Sequence, residues 1–334
     1  MATKTQLYNQ DGTLVIEDMS LLDLSHWTFA GPEGLAISLS AHPFEVHHSP
    51  PDTVGPFLEP DVFSGFTADA KGGGGGKPGG GGGGGSGLLT TYTSGNPDVA
   101  DTNEFNIQIN FSGSWTAKQQ AIVTWAADTY SKIITADIRD DLDLNGHLVD
   151  DIVISVSTGR IDGRGNPLLG NVLAQTGNIV VRDDGTVDQW LPLTASIKLD
   201  STDLRDSALA GTWDDIILHE MGHALGFVGA IFDQLGLVDG SGNFTGTNAV
   251  AAYGGLAPLE NSGGSGTAGS HWDEATFMPN GVQMSNELMT GYFVPGEQTY
   301  LSDTTIGALD DLGYTVQDPS VGSYLAVDSH LLLV

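Results

Sequence analysis

Five consecutive residues, His219-Glu220-Met221-Gly222-His223, have the types and spacing that hydrolytic metal chemistry needs. Two histidines four positions apart on a helix face the same way, one turn above the other. Both imidazoles can then bind one zinc ion, and the glutamate between them lies beside the open coordination position. From there a carboxylate takes a proton from a bound water and hands it to a leaving amine. A catalytic zinc usually has three protein ligands and a water, so this pentapeptide is one ligand short. Gly226 is placed to end the helix in a left-handed turn and send the chain back toward the metal. Downstream, Asp233, Asp239, Glu260 and His271 are the candidates for the missing ligand.

The elements that must hold these residues form a mixed α and β pattern. Strict alternation over residues 105–111 predicts a strand with one buried face. Thr116 suits the cap of a helix over residues 117–135, with Ile122, Trp125, Ala126, Tyr130, Ile133 and Ile134 on one side. Residues 152–156 and 179–181 read as further strands. A helix carrying Trp213, with Asp214 and Asp215 in its first turn where the dipole favours them, runs into the histidine pair. Residues 239–270 read as long ordered loops. A last amphipathic helix runs from about Asp303 to Leu312, and Gly313 ends it. Residues 1–70 form a separate leader, and residues 71–87, almost all glycine, form a flexible linker. The catalytic unit is then residues 88–318, followed by a tail over 319–334.

The charge is lopsided, with 11 basic residues against 42 acidic ones and a net of −31. Nucleic acid and anionic membrane surfaces are excluded as partners, because phosphates would be repelled. Carboxylates are plentiful enough for calcium. Asp141, Asp143 and Asn145, with Gly146 in sixth place, have the spacing of a calcium loop. Its twelfth position is Ile152, so Asp150 or Asp151 would have to supply the missing carboxylate. The competing reading is a solvated Asp/Asn/Gly turn ahead of a strand. No run of eighteen apolar residues predicts a membrane span. The first residues lack the apolar region of a cleavable secretory signal. There is no cysteine, so disulfides and thiolate ligands are absent. His26, His42, His47, His48, His147 and His330 have no companion at ligand spacing and receive no role.

Beyond the pentapeptide, the order of motifs resembles the leishmanolysin-like metzincins. Metzincins add a third histidine three residues after the glycine, and here that position is Gly229. In leishmanolysin and its bacterial relatives a long insertion separates the glycine from the closing histidine. Residues 248–254, Pro258-Leu259-Glu260-Asn261 and Gly269-Ser270-His271-Trp272 look like that insertion and its end. Asn286-Glu287-Leu288-Met289-Thr290-Gly291 resembles the Met-turn, and the stretch from Leu301 to Tyr314 resembles the closing helix. The likeness covers roughly residues 104–316.

The resemblance implies an α+β metzincin domain. It has a twisted mixed sheet, a backing helix, an active-site helix and a C-terminal helix. It implies His219, His223 and His271 as zinc ligands, Glu220 as general base and acid, and Met289 as the apolar floor of the site. The implied reaction is hydrolysis of protein or peptide substrates without a covalent intermediate. A catalytically silent binding module and a zinc hydrolase of non-peptide substrates are the alternatives. Animal and protozoan members are rich in disulfides, so this chain looks like a trimmed bacterial form. Tyr292 lies three residues after Met289, whereas astacin-like and serralysin-like enzymes place a zinc-binding tyrosine two residues after. A packing role is therefore expected of Tyr292. The leader reads as a pro-segment released when the linker is cut. The ending Val327-Asp328-Ser329-His330-Leu331-Leu332-Leu333-Val334 resembles a type I export signal, so an extracellular location is expected, with a cytoplasmic one as the alternative; a monomer is expected separately.

Overall fold

The structure is a computed structural model that describes residues 36–37, 88–162, 172–183, 185–186, 188–205, 211–262, 267–279, 281–291, 299–317 and 324–326. The expectations for most of the leader, the linker, Tyr292 and nearly all of the tail lie outside those residues. In chain order the strands begin with β1 (Ala36–Ile37), β2 (Thr91–Thr93) and β3 (Ile107–Ser112), and the helix α1 (Ala117–Ile133) follows. Next come β4 (Asp141–Leu142), β5 (Leu148–Val149), β6 (Ile152–Gly159), β7 (Ala174–Val181) and β8 (Pro192–Asp200). The helices α2 (Trp213–Ala224) and α3 (Gly229–Leu235) carry the chain past the histidine pair. The remainder is β9 (Asn243–Phe244), α4 (Thr247–Tyr253), β10 (Ala257–Pro258), β11 (Tyr300–Ser302), α5 (Asp303–Leu312) and β12 (Tyr324–Ala326).

The main sheet has the order β1-β7-β8-β6-β3-β2. Strands β3, β6 and β8 run parallel, while β7 is antiparallel to β8. Alternation along a strand sends successive side chains to opposite faces. It puts Ile107 and Ile109 of β3 and Ile152, Ile154 and Val156 of β6 into one buried cluster with Ile216, Ile217 and Leu218 of α2. Helix α1 packs on β3 and α2, and α2 packs on β7 and β8. The histidine helix is thus pressed between the sheet and the backing helix. Residues 213–235 have the length and hydropathy of a membrane span, yet 89% of the most apolar 18-residue window in that stretch is buried inside the protein. This is the core helix, interrupted by the turn at Gly226.

Several elements match the sequence expectations closely. Thr116 caps α1 by a capping box with Gln119. Helix α5 spans Asp303–Leu312, with Gly313 in the left-handed conformation at its end. The first sheet strand starts at Ile107 rather than at residue 105, because Asn106 turns inward to bond Ser94 and Asp151. Residues 239–270 are more than loops. They hold α4 and the β9–β10 pair. The N-terminus of α4 is capped from a distance, where the Asp311 carboxylate accepts the Asn248 and Ala249 main-chain N–H groups.

The calcium expectation is corrected in the same way. The two-stranded pair β4–β5 makes residues 141–149 a hairpin. The Asp143 carboxylate accepts the N–H groups of Asn145 and His147 and so closes the turn itself. Asp150 and Asp151 gather with Asp137, not with Asp141, Asp143 and Asn145. Both oxygens of buried Asp151 accept main-chain N–H groups, from Asn106 and Ile138. Backbone donors occupy the carboxylates of Asp141, Asp143 and Asp151, so the turn reading is the one the structure supports.

Candidate metal centre

His219 and His223 stand one turn apart on α2, and their Nε2 atoms are 2.9 Å from each other. His271 Nε2 lies 3.0 Å from His223 Nε2 and 3.2 Å from His219 Nε2. All three side chains are buried. Each ring's other nitrogen faces a main-chain oxygen: Leu288 for His219, Phe227 for His223 and Thr267 for His271. A carbonyl only accepts, so each Nδ1 carries the hydrogen and each Nε2 turns its lone pair inward. Three lone pairs facing one another at about 3 Å repel, and a cation between them relieves that repulsion. The donor set fits a divalent metal ion that takes nitrogen ligands.

Electrostatics keep the rings in the ligating form. Burial, reinforced by the other two imidazoles, holds His219 well below its ordinary range. Burial and His271 push His223 down to about 3, and burial pushes His271 down to about 4. Neutral imidazole is the species that binds metal.

Local sequence explains how the three rings meet. Gly226 adopts φ +100, and the Phe227 N–H reaches back to the Gly222 oxygen. That turn delivers the Phe227 carbonyl to His223 Nδ1. At position 229 the chain does not supply a histidine but starts α3. An added Cβ on Gly229 would lie 2.8 Å from the Gly269 oxygen. The Gly229 N–H donates to Ser270 Oγ at 3.0 Å. The insertion therefore leaves and returns at one point, and His271 follows directly. Trp272 locks the return: its main-chain N–H bonds the Met289 oxygen and its indole N–H bonds Thr305 Oγ1.

Met289 lies under the cluster. A Cβ on Gly222 would be 2.7 Å from Met289 Sδ, so the glycine between the histidines admits the thioether. The turn that carries Met289 is tied down by buried Glu287. Its carboxylate accepts the Met289 and Ser302 N–H groups and the Ser302 and Thr305 hydroxyls.

Glu220 is buried on α2 between the two ligating positions. Burial pushes its carboxyl up to about 7, against a Thr176 hydrogen bond that favours the ionised form. Thr176 gives no sign in the sequence, being one threonine in a strand. The competing ligands lie elsewhere. Asp233 is exposed on α3, and Asp239 closes its own turn onto Ser241 and Asn243. Glu260 gathers with Asp273 and Glu274 and bonds Ser262.

Residues 166–326 match the family model of leishmanolysin peptidases. No curated protein matches the chain. The matched span contains the three convergent histidines, the Gly226 turn and the methionine beneath them, and the match supports a leishmanolysin-like metallopeptidase family for this part of the chain.

Proposed function

We propose that this protein is a zinc-dependent endopeptidase acting on protein or peptide substrates. The observation that carries the reading is the convergence of three Nε2 lone pairs around one buried point, with Glu220 beside two of them in the helix. His219, His223 and His271 would hold the ion. When bound, zinc acidifies a water and polarises the scissile carbonyl. Glu220 accepts the proton of the attacking water and returns it to the leaving amine, with no covalent intermediate. Met289 supplies an apolar floor that keeps the histidine helix in place. The leader serves as a pro-segment, and the protein is exported. The support for the pro-segment is that β1, within the leader, pairs with β7.

The test is metal analysis together with casein cleavage. One zinc per chain and cleavage abolished by a chelator are expected. Glu220→Gln should retain the zinc and lose activity by about a hundredfold or more. Full activity in that variant sinks the mechanism.

A further inference from the structure

Thr176 is almost fully buried on β7, the strand against which α2 packs. Its Oγ1 lies 2.6 Å from Glu220 Oε2 and 2.8 Å from the Glu220 main-chain oxygen. A threonine hydroxyl has one hydrogen and two lone pairs, whereas a main-chain oxygen can only accept. With Glu220 ionised, the hydroxyl donates to Oε2. With a proton on Oε2, the carboxyl donates to Oγ1 and the hydroxyl hydrogen turns to the main-chain oxygen. In both states Oε2 keeps a hydrogen bond to Oγ1, and no heavy atom has to move.

The strand is shaped at this point. The ladder to β8 keeps register through Thr176–Ile197 and Gly177–Ser196, then gains one residue before Val180–Thr194. Asn178, inside that irregularity, has φ 51. Bulges of this kind re-aim side chains. Thr176 is also β-branched, so its χ1 is stiff, while a glutamate has three torsions to fix.

We infer that Thr176 is a positioning residue that holds the Glu220 carboxylate in one place through the proton-transfer cycle and leaves its second oxygen for the reacting water. This rests on Glu220 being the general base. The hydroxyl acts through Glu220 and does not itself touch substrate.

The experiment uses the zinc-loaded full chain and its Thr176→Val and Thr176→Ser variants. Measured for each are zinc content, melting temperature, and kcat and KM on one peptide substrate. Thr176→Val should keep its zinc, melting temperature and KM, and lose kcat by about tenfold or more. Thr176→Ser should recover most of that loss. A Thr176→Val variant with the kcat of the parent overturns the inference. So does a kcat loss that follows lost zinc or a lowered melting temperature and is not recovered by serine. A parent protein that holds zinc but cleaves no peptide overturns the proteolytic reading itself and this inference with it. An active parent with an equally active valine variant overturns the inference alone.

Discussion

Each histidine of the cluster is gripped at both ends. One nitrogen is tied to a main-chain oxygen, and the other is presented to the common centre. Those carbonyls come from three separate places in the chain, so the tautomer of every ring is set by the fold and not by the metal. His271→Ala should then cost most of the zinc affinity, because two imidazoles alone bind the ion weakly. Asp233→Ala and Glu260→Ala should leave zinc content at one per chain. Equilibrium dialysis of the three variants against a zinc buffer is the check. Metal loss in a carboxylate variant instead of His271→Ala would contradict the ligand set. At this scale the sequence was partly readable. His219, Glu220 and His223 follow from helical spacing alone. His271 does not, since its approach depends on a turn at Gly226 and a close contact at Gly229 that no local pattern encodes.

The elements that carry these residues are secured by two buried acidic sites. Glu287 joins the Met289 turn to the start of α5 through four accepted hydrogen bonds. The same turn presents the Leu288 carbonyl to His219. Glu287→Ala leaves those donors unmatched and should lower stability by about 3–5 kcal/mol. It should also weaken zinc binding through the displaced carbonyl. Urea unfolding of the metal-free protein, followed by zinc titration, reads the two effects separately, and an unchanged unfolding midpoint would refute the anchoring role.

The second site is Asp215, in the first turn of α2. Burial pushes its carboxyl up from 3.8 to about 7, opposed by a hydrogen bond from Thr299 and assisted by the neighbouring Asp214. The raised value favours the folded state below about pH 4, and the benefit is lost as pH rises through about 7. Asp215→Asn removes that dependence. Its melting temperature relative to the parent should therefore improve between pH 5 and pH 8. A difference that stays constant with pH would argue against a neutral Asp215. Most helices and central strands were legible from periodicity and caps, as at Thr116 and Gly313. Strand β8 also alternates, with Leu193, Ala195, Ile197 and Leu199 buried, but its leading proline and short apolar steps obscured it. Helix α4 was hidden because its stabilising cap, Asp311, lies far along the chain.

At the scale of the whole molecule, the strand β7 links the leader to the chemistry. Ala36 and Ile37 pair with Val180 and Ile179 on the same strand whose Thr176 bonds Glu220. Removing residues 1–87 should raise peptidase activity several-fold when assayed beside the full chain at equal zinc content. Equal activities would reject the pro-segment. A net charge of −31 makes the surface self-repelling, which favours solubility and disfavours anionic partners.

The contact between Gly229 and Ser270 has a consequence for how such a protein can change over time. The excursion between them begins and ends at one junction, so the placement of His271 is insulated from the length of what lies between. Closing a longer loop costs little, only about 0.6 kcal/mol for each doubling. The segment holding α3 and α4 is thus a separable cassette beside the three-histidine centre. New surface can be grafted or lost there while the metal geometry stays as it is, provided the small residue at 229 and the hydroxyl at 270 are kept.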